Sequence, residues 1–500
     1  MRIAALDVGS NSLHLVVVEV DSVGNQRVLA REKAMVRLAR GNAQQGEIAS
    51  EAFQEGLEAL ALMAQVIEGF HCDTVMACGT AALRDARNAP DFLRESARLG
   101  ITIRIISGEE EARLIHLAVS HAIPFPEGPV TLMDIGGGST ELTWVEAGHV
   151  LASTSIPFGL QRLAEACPTD NPPTLADLKR LRRFTRKVIK KARKHLPPGL
   201  PAPGLVLGTS GTLEDLALGS SGTVRFDPLY LRRFKKKLWS TDTAGRLKLG
   251  VPPKRAEVLH VGAAWAAALL DWLGNPPVQH LPVGLREGMI WDALAHGGAA
   301  IPPLAERRRV SVEALAARHD PDPGHSRHVQ DLADQLFRAV QPWFELGERE
   351  REWLQHASRL HDIGFSVAEK GHHKHGAYLL RAATLPGFWP EEIDILAQVV
   401  RHHRGKDPQP EKHEAFRNLP PWHRDTVRKL TGILRAADAL DRRRRQSVTG
   451  LSLEDGDPAL ALRIRGEGDL GPELEALDSK GSLLVELLGR PVRVVLETAP

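Results

Sequence analysis

The sequence predicts a two-lobed α/β core over residues 1–122 and 123–300, then an all-helical region over 305–446 and a small α/β tail over 447–500. Three observations predict it. The pattern Asp-x-Gly-x-x-Ser occurs twice, at Asp7-Val8-Gly9-Ser10-Asn11-Ser12 and at Asp134-Ile135-Gly136-Gly137-Gly138-Ser139, about 127 positions apart. Each copy lies between an apolar run and an alternating run, the signature of a strand–turn–strand hairpin. Finally, the Gly/Pro-rich stretch 297–304 reads as a linker, and beyond it the strand-helix alternation gives way to helical sequence rich in His and Arg.

In chain order, residues 3–6 and 13–20 form the first hairpin. A helix over 51–69, a strand over 74–78, a helix over 91–99 and a strand over 101–106 follow. Residues 130–133 and 140–145 form the second hairpin. Thr174 and Asp177 are spaced as a capping box opening a long basic helix to about residue 195. A buried strand over 204–207 runs into Gly208-Thr209-Ser210-Gly211-Thr212, a small-residue turn that opens a helix and could seat an anion or a nucleotide ribose. In the tail, short alternating segments are read at 460–464, 483–488 and 492–496.

The chain has 500 residues, 43% apolar and 25% charged, as ordinary globular domains do. A net charge of +2 names no partner. Cys72, Cys78 and Cys167 show no metal or redox spacing, which fits a reduced cytoplasm. The chain enters its first strand directly, so no signal peptide is expected, and no run reaches the roughly 20 apolar residues of a membrane span.

A turn of Gly, Ser and Asn has few Cβ atoms to block a ligand and presents backbone N–H groups to anions. Asp7, Gly9, Ser10, Asn11 and Ser12 of one turn, and Gly136, Gly137, Gly138, Ser139 and Thr140 of the other, are therefore candidate phosphate contacts, with Gly208, Ser210, Gly211 and Thr212 of the third turn. The leading Asp of each hairpin can hold a cation or a water beside the phosphates. A strand follows each hairpin turn, whereas the Walker-A loop and the dinucleotide fingerprint need a helix there, so both are excluded. Ser107-Gly108-Glu109-Glu110-Glu111-Ala112-Arg113 opens a helix. Acidic residues suit a helix N-terminus, and near a phosphate cleft one of them could orient or deprotonate a water. Arg84 is the candidate arginine for transition-state charge.

These motifs, with Thr80 to Asn88 and in this order, resemble the exopolyphosphatase and guanosine pentaphosphate phosphatase family in its long, multi-domain form. The resemblance implies an actin-like (RNase H-like) core and Mg²⁺-dependent removal of the terminal phosphate from inorganic polyphosphate, or of the 5′ γ-phosphate from pppGpp. It further implies Glu111 as the catalytic carboxylate, Asp134 and Glu141 as the metal-associated acids, and a homodimer.

In the helical region His328, His361-Asp362 and Asp438 follow the order His…His-Asp…Asp, which can make a divalent-metal site, with further imidazoles at His372, His373, His375, His402 and His403. This resembles an HD-type phosphohydrolase domain, and implies a second divalent metal there. Basic runs at 179–194, 232–237, 307–309 and 442–445 could guide a polyanion. With 5% aromatic residues the chain is not expected to read single-stranded nucleic acid. The expected function is exopolyphosphatase. The alternatives are a pppGpp 5′-phosphohydrolase using the same machinery and a non-catalytic polyphosphate or alarmone sensor. A sugar- or acetate-kinase-like phosphotransferase is a remoter reading, as no acceptor signature is present.

Overall fold

A computed structural model describes residues 1–21, 24, 26–39, 46–218, 225–297 and 302–497. The chain forms two compact units, Met1–Pro302 and Pro303–Pro500. Half of the linker stretch 297–304, residues 298–301, lies outside the described residues.

The first unit holds two sheets. In the first, β1 (Arg2–Val8), β2 (Leu13–Val20) and β3 (Gln26–Ala34) form an antiparallel meander. Strands β4 (Thr74–Gly79) and β5 (Ile103–Ile105) join in parallel on the other side of β1, giving the order β3-β2-β1-β4-β5. In the second sheet, β6 (Val130–Ile135), β7 (Thr140–Glu146) and β8 (His149–Ile156) repeat the meander. There β9 (Leu205–Gly208) and β11 (Val278–His280) repeat the parallel pair, and β10 (Arg225–Phe226) adds an edge strand. The duplication seen in two short motifs is therefore a duplication of whole five-stranded lobes.

The central strands read as continuous apolar runs because both faces are covered. Side chains alternate across a strand, so Ala4, Leu6 and Val8 enter the core beneath the helices Ser50–Gly69 and Ala89–Arg98, while Ile3 and Ala5 enter another with Leu114 and Met289. Met289 belongs to the helix Leu285–His296, which returns from the end of the unit to pack on the first sheet and on the helix Gly108–Ala122. A Cβ on Gly288 would run into the backbone of Leu114, so this close approach needs glycine. The second lobe packs around the helix Leu259–Trp272, which is buried on nearly every side.

The second unit is built on six long helices, and its three-stranded sheet of β12 (Val448–Glu454), β13 (Leu460–Gly466) and β14 (Val492–Glu497) shares their core through Val448, Leu460 and Ile464. Residues 483–488, expected to alternate as a strand, lie in the helix Ser482–Leu488, which places Leu484 and Leu488 one turn apart on the core side and ends at Gly489 with φ +66. A six-residue apolar run has too little periodicity to separate strand from helix.

No helix among the described residues is long and apolar enough to cross a membrane. The three cysteines are free thiols.

Candidate active site

The two hairpin turns close in the same way. Gly9 N–H donates to Ser12 O at 3.2 Å, and Gly136 N–H to Ser139 O at 3.0 Å. The turns meet tip to tip. A Cβ on Gly138 would collide with Ser10 Oγ and lie 2.9 Å from Ala81 Cβ, and one on Gly137 would lie 3.2 Å from Asn11 Cβ. The glycines thus permit the lobes to touch as well as leaving amides bare. Arg162 reinforces the contact from the second lobe, donating to the Asp85 carboxylate and, at 3.4 Å, to Ala81 O.

The strand registers align Asp7 with His14 and Asp134 with Glu141. In both hairpins the turn serine bonds the residue two places on: Ser12 Oγ lies 2.6 Å from His14 Nε2, and Ser139 donates to Glu141. The second hairpin therefore carries two acids where the first carries an acid and an imidazole.

Four carboxylates converge here: Asp7, Glu111, Asp134 and Glu141. Burial pushes Asp7 up to about 7, with Asp134 and Glu287 adding and Arg286 opposing. Burial likewise raises Glu141 to about 8, with Asp134 adding to it. Burial, then the charges of Glu141 and Asp7, hold Glu111 well above the usual carboxylate range, against the pull of Arg84. Asp134 is raised by burial and held back by Thr209 Oγ1, which donates to Oδ2 at 2.7 Å. Asp7 Oδ1, Glu111 Oε2 and Glu141 Oε2 are buried with no hydrogen-bond partner. Ser155 Oγ donates to the other Glu141 oxygen at 2.8 Å. Buried, unpartnered carboxylate oxygens of this kind suit a hard divalent cation, which takes oxygen ligands.

The triple glutamate divides its labour. Ser107 Oγ caps the helix by accepting from Glu110 N at 3.1 Å. Glu110 accepts from Arg113 Nε at 2.7 Å and Arg104 Nη2 at 3.2 Å, on the outer side. Glu111 points inward, with Arg84 Nη1 at 3.7 Å from Oε2. Arg84 is itself fixed by donating to Ile106 O at 2.7 Å.

The expected phosphate contacts Thr140, Gly208, Ser210 and Thr212 have other work. Thr140 is fully buried: its hydroxyl donates to Phe158 O at 2.8 Å and accepts from Trp265 Nε1 at 3.0 Å. Gly208 lets Leu213 pack, since a Cβ would lie 2.7 Å from its Cδ1. Thr212 Oγ1 donates to Ile135 O at 3.0 Å. Ser210 Oγ accepts from Leu213 N at 3.3 Å, so the third turn opens the helix Gly211–Leu218 as expected, but with its hydroxyls engaged within the fold. Ser10 Oγ, by contrast, is buried and without a partner.

A basic cluster also lies here that no run of sequence announces. Burial and then the charges of Lys33, Arg286, Arg255 and Lys254 depress His14 to about 3. Lys33 is lowered by burial and by the same arginines and lysine. Residues 33, 254, 255 and 286 are scattered along the chain and only tertiary folding gathers them. The sequence's own basic runs divide differently: residues 179–194 and 232–237 stay largely on exposed helix faces, whereas Arg308 is buried in ion pairs with Glu392 and Glu352.

The profile of the Ppx/GppA phosphatase family matches residues 16–296, and that of Ppx/GppA phosphatase domain III matches 307–465. The chain belongs to the Ppx/GppA phosphatase family. Among solved structures it is similar to an exopolyphosphatase from Cytophaga hutchinsonii, at 24% identity and a TM-score of 0.55 over 59% of this chain and 98% of that one. It is also similar to the Aquifex aeolicus member of the Ppx/GppA family, at 25% and 0.51 over 59% and 98%. The Aquifex aeolicus PPX-GPPA enzyme aligns at 26% and 0.50 over 58% and 99%. The two lobes, one with a five-stranded and one with a six-stranded sheet, correspond to the actin-like two-lobed core of these neighbours.

In the second unit the structure brings His361, Asp362 and Asp438 together, with His361 Nε2 3.5 Å from Asp362 Oδ1 and 3.9 Å from Asp438 Oδ1. The first histidine of the set is His325, not the expected His328. His325 Nε2 lies 3.5 Å from Asp438 Oδ1, and Nδ1 2.8 Å from Asp441 Oδ2. Three residues of helix turn His328 by roughly 60°, away from the cluster. The order of motif residues alone does not say which face of the helix Pro323–Phe344 is turned inward.

Proposed function

We propose that the first unit is a Mg²⁺-dependent exopolyphosphatase. The observation that carries this reading is the set of four converging carboxylates, three of them with a buried unpartnered oxygen, beside twin Gly/Ser turns in a member of a phosphatase family.

The terminal phosphates would lie beside the point where the turns meet, within reach of the amides of Ser10, Asn11, Gly137 and Gly138 and of the Ser10 hydroxyl. Asp134 and Glu141, with Asp7, would hold Mg²⁺, which when bound neutralises phosphate charge. Glu111 orients the water and takes its proton as oxygen attacks the terminal phosphorus. The anhydride P–O bond breaks, and the shortened chain leaves with the electron pair. A carboxylate held well above its ordinary range is a stronger base once ionised, which suits that task. Arg84, anchored on Ile106 O, orients Glu111 and offers charge to the transferring phosphoryl group.

Two observations favour the polymer over pppGpp. Lys33, Lys254, Arg255 and Arg286 gather beside the first hairpin, as a run of phosphates requires. The hydroxyls of the third turn, the candidate ribose seat, are bonded within the fold. The test is phosphate release with Mg²⁺ from long-chain polyphosphate and from pppGpp. A higher kcat/KM for the polymer, falling steeply with salt, is expected. A higher value for pppGpp would move the enzyme to the alarmone reading.

A further inference from the structure

The second lobe holds a cavity that the phosphatase site does not use. Side chains alternate along β7, so Glu141 faces the carboxylate cluster while Leu142 and Trp144 enter the core of the lobe on the other face of the sheet. The cavity lies on that other face. Its volume is about 490 Å³, within the range of small-molecule sites. Its walls are Trp144, the ends of the helices Leu175–Arg193 and Leu259–Trp272, and the connecting stretch 196–203. The sequence builds that last wall. Four of the seven residues 197–203 are proline, which neither continues a helix nor pairs as an inner strand, so the stretch spans the gap as an irregular wall. Leu196 and Leu200 anchor it against the core of the lobe.

Three features of the lining describe what fits. Two indoles meet there: the Trp144 and Trp272 ring centroids are 5.7 Å apart with their planes at 57°, which leaves flat apolar surface for a planar ring. Polar groups for the edge of such a ring are also present. Trp144 is only 3% exposed, and none of the described residues accepts from its indole N–H. The proline-rich wall offers carbonyl oxygens and few donors of its own, since proline has no N–H. Finally, the mouth is cationic. Arg193 lies over the Trp272 ring, with its Cζ 5.9 Å from the centroid, and has no carboxylate partner among the described residues. Lys190, Lys191 and Lys194 beside it are exposed, and residues 178–213 contain no Asp or Glu.

We infer that this cavity binds a nucleoside monophosphate, with the base against Trp272 and Trp144 and the phosphate on Arg193. Every base has a π-face for an indole, and an edge of ring nitrogens and exocyclic groups that can accept from the Trp144 N–H and donate to the proline-rich wall. A guanidinium is a fork-shaped donor for the phosphate, and the neighbouring lysines add positive charge around it. An aliphatic carboxylate would use the arginine but neither the flat walls nor the polar groups at depth. No carboxylate lines the cavity, so a nucleotide is held there and not hydrolysed. The site stands whether the carboxylate cluster on the other face of the sheet prefers polyphosphate or pppGpp.

The test is isothermal titration calorimetry of the full chain with AMP, adenosine and inorganic phosphate, in the absence of Mg²⁺. Wild type should bind AMP saturably. Trp272→Leu should weaken AMP and adenosine alike by about 10-fold, the effect of losing a stacked base. Arg193→Ala should weaken AMP by about 10-fold and leave adenosine unchanged. Inorganic phosphate should bind more weakly than AMP and not respond to Trp272→Leu. Circular dichroism and unchanged Mg²⁺-dependent polyphosphate hydrolysis confirm that each variant is folded. No saturable binding of AMP, or an AMP affinity that neither variant moves, overturns the site. Inorganic phosphate bound as tightly as AMP overturns the seat for the base. Adenosine bound as tightly as AMP overturns the role of Arg193.

Discussion

Divalent-cation binding to the carboxylate cluster should release protons, and the structure sets how many. At pH 7, Asp7 at about 7 is half protonated and Glu141 at about 8 is roughly nine-tenths protonated. Bringing both to the ionised state on Mg²⁺ releases roughly 1.4 protons, and Glu111, also raised, adds up to about one more. At pH 9 the first two contribute only about a tenth of a proton together. Isothermal titration calorimetry of Mg²⁺ in buffers of different ionisation enthalpy reads the number directly. The His361→Ala background keeps ions at the histidine cluster from contributing. Release of more than about one proton at pH 7, falling to a few tenths at pH 9, is expected. Release below about 0.3 at pH 7, or one that does not change with pH, would show that these carboxylates are not the metal's ligands. The same shifts fix the sign of the stability change. A carboxyl whose folded pKa is raised stabilises the fold below its ordinary pKa and loses that contribution as pH rises through the folded value. Metal-free protein should therefore lose thermal stability between about pH 4.5 and 8, and Mg²⁺ should restore it.

Further outcomes follow from single contacts. Arg84→Ala removes the charge that lowers Glu111, so the rising limb of the pH–rate profile should move to higher pH while kcat falls on the order of 10²-fold. Gly138→Ala drives a methyl into Ser10 and Ala81; it should lower stability by about 1–3 kcal/mol in thermal unfolding and raise KM for polyphosphate. Thr209→Val leaves Asp134 without its donor and should weaken Mg²⁺ binding, read calorimetrically as a several-fold rise in Kd. Arg255→Ala/Arg286→Ala should flatten the salt dependence of KM for long chains more than that for tripolyphosphate.

What the sequence made legible was local. The hairpins of Asp7 and Asp134 could be read because strand, turn and returning strand are contiguous, and the Thr174–Asp177 capping box because its two bonds span three residues. Which glutamate of 109–111 faces inward depended on Arg104 and Arg113 holding Glu110 outside. The choice of His325 over His328 depended on Asp441, more than a hundred residues away. Thr140 looked like a turn hydroxyl, but Trp265 from the other end of the lobe claims it. The gathering of Lys33, Lys254, Arg255 and Arg286 has no signature along the chain, because it exists only once both lobes are folded.

The central claim is that the carboxylate cluster between the twin hairpins hydrolyses the terminal phosphate. The direct measurement is Mg²⁺-dependent phosphate release from polyphosphate by wild type, Glu111→Gln and His361→Ala. Loss of turnover by about 10²–10⁴-fold in Glu111→Gln with polyphosphate binding retained, and near-normal turnover in His361→Ala, is the predicted result. Turnover that survives Glu111→Gln and disappears in His361→Ala would place the chemistry in the second unit and contradict the account.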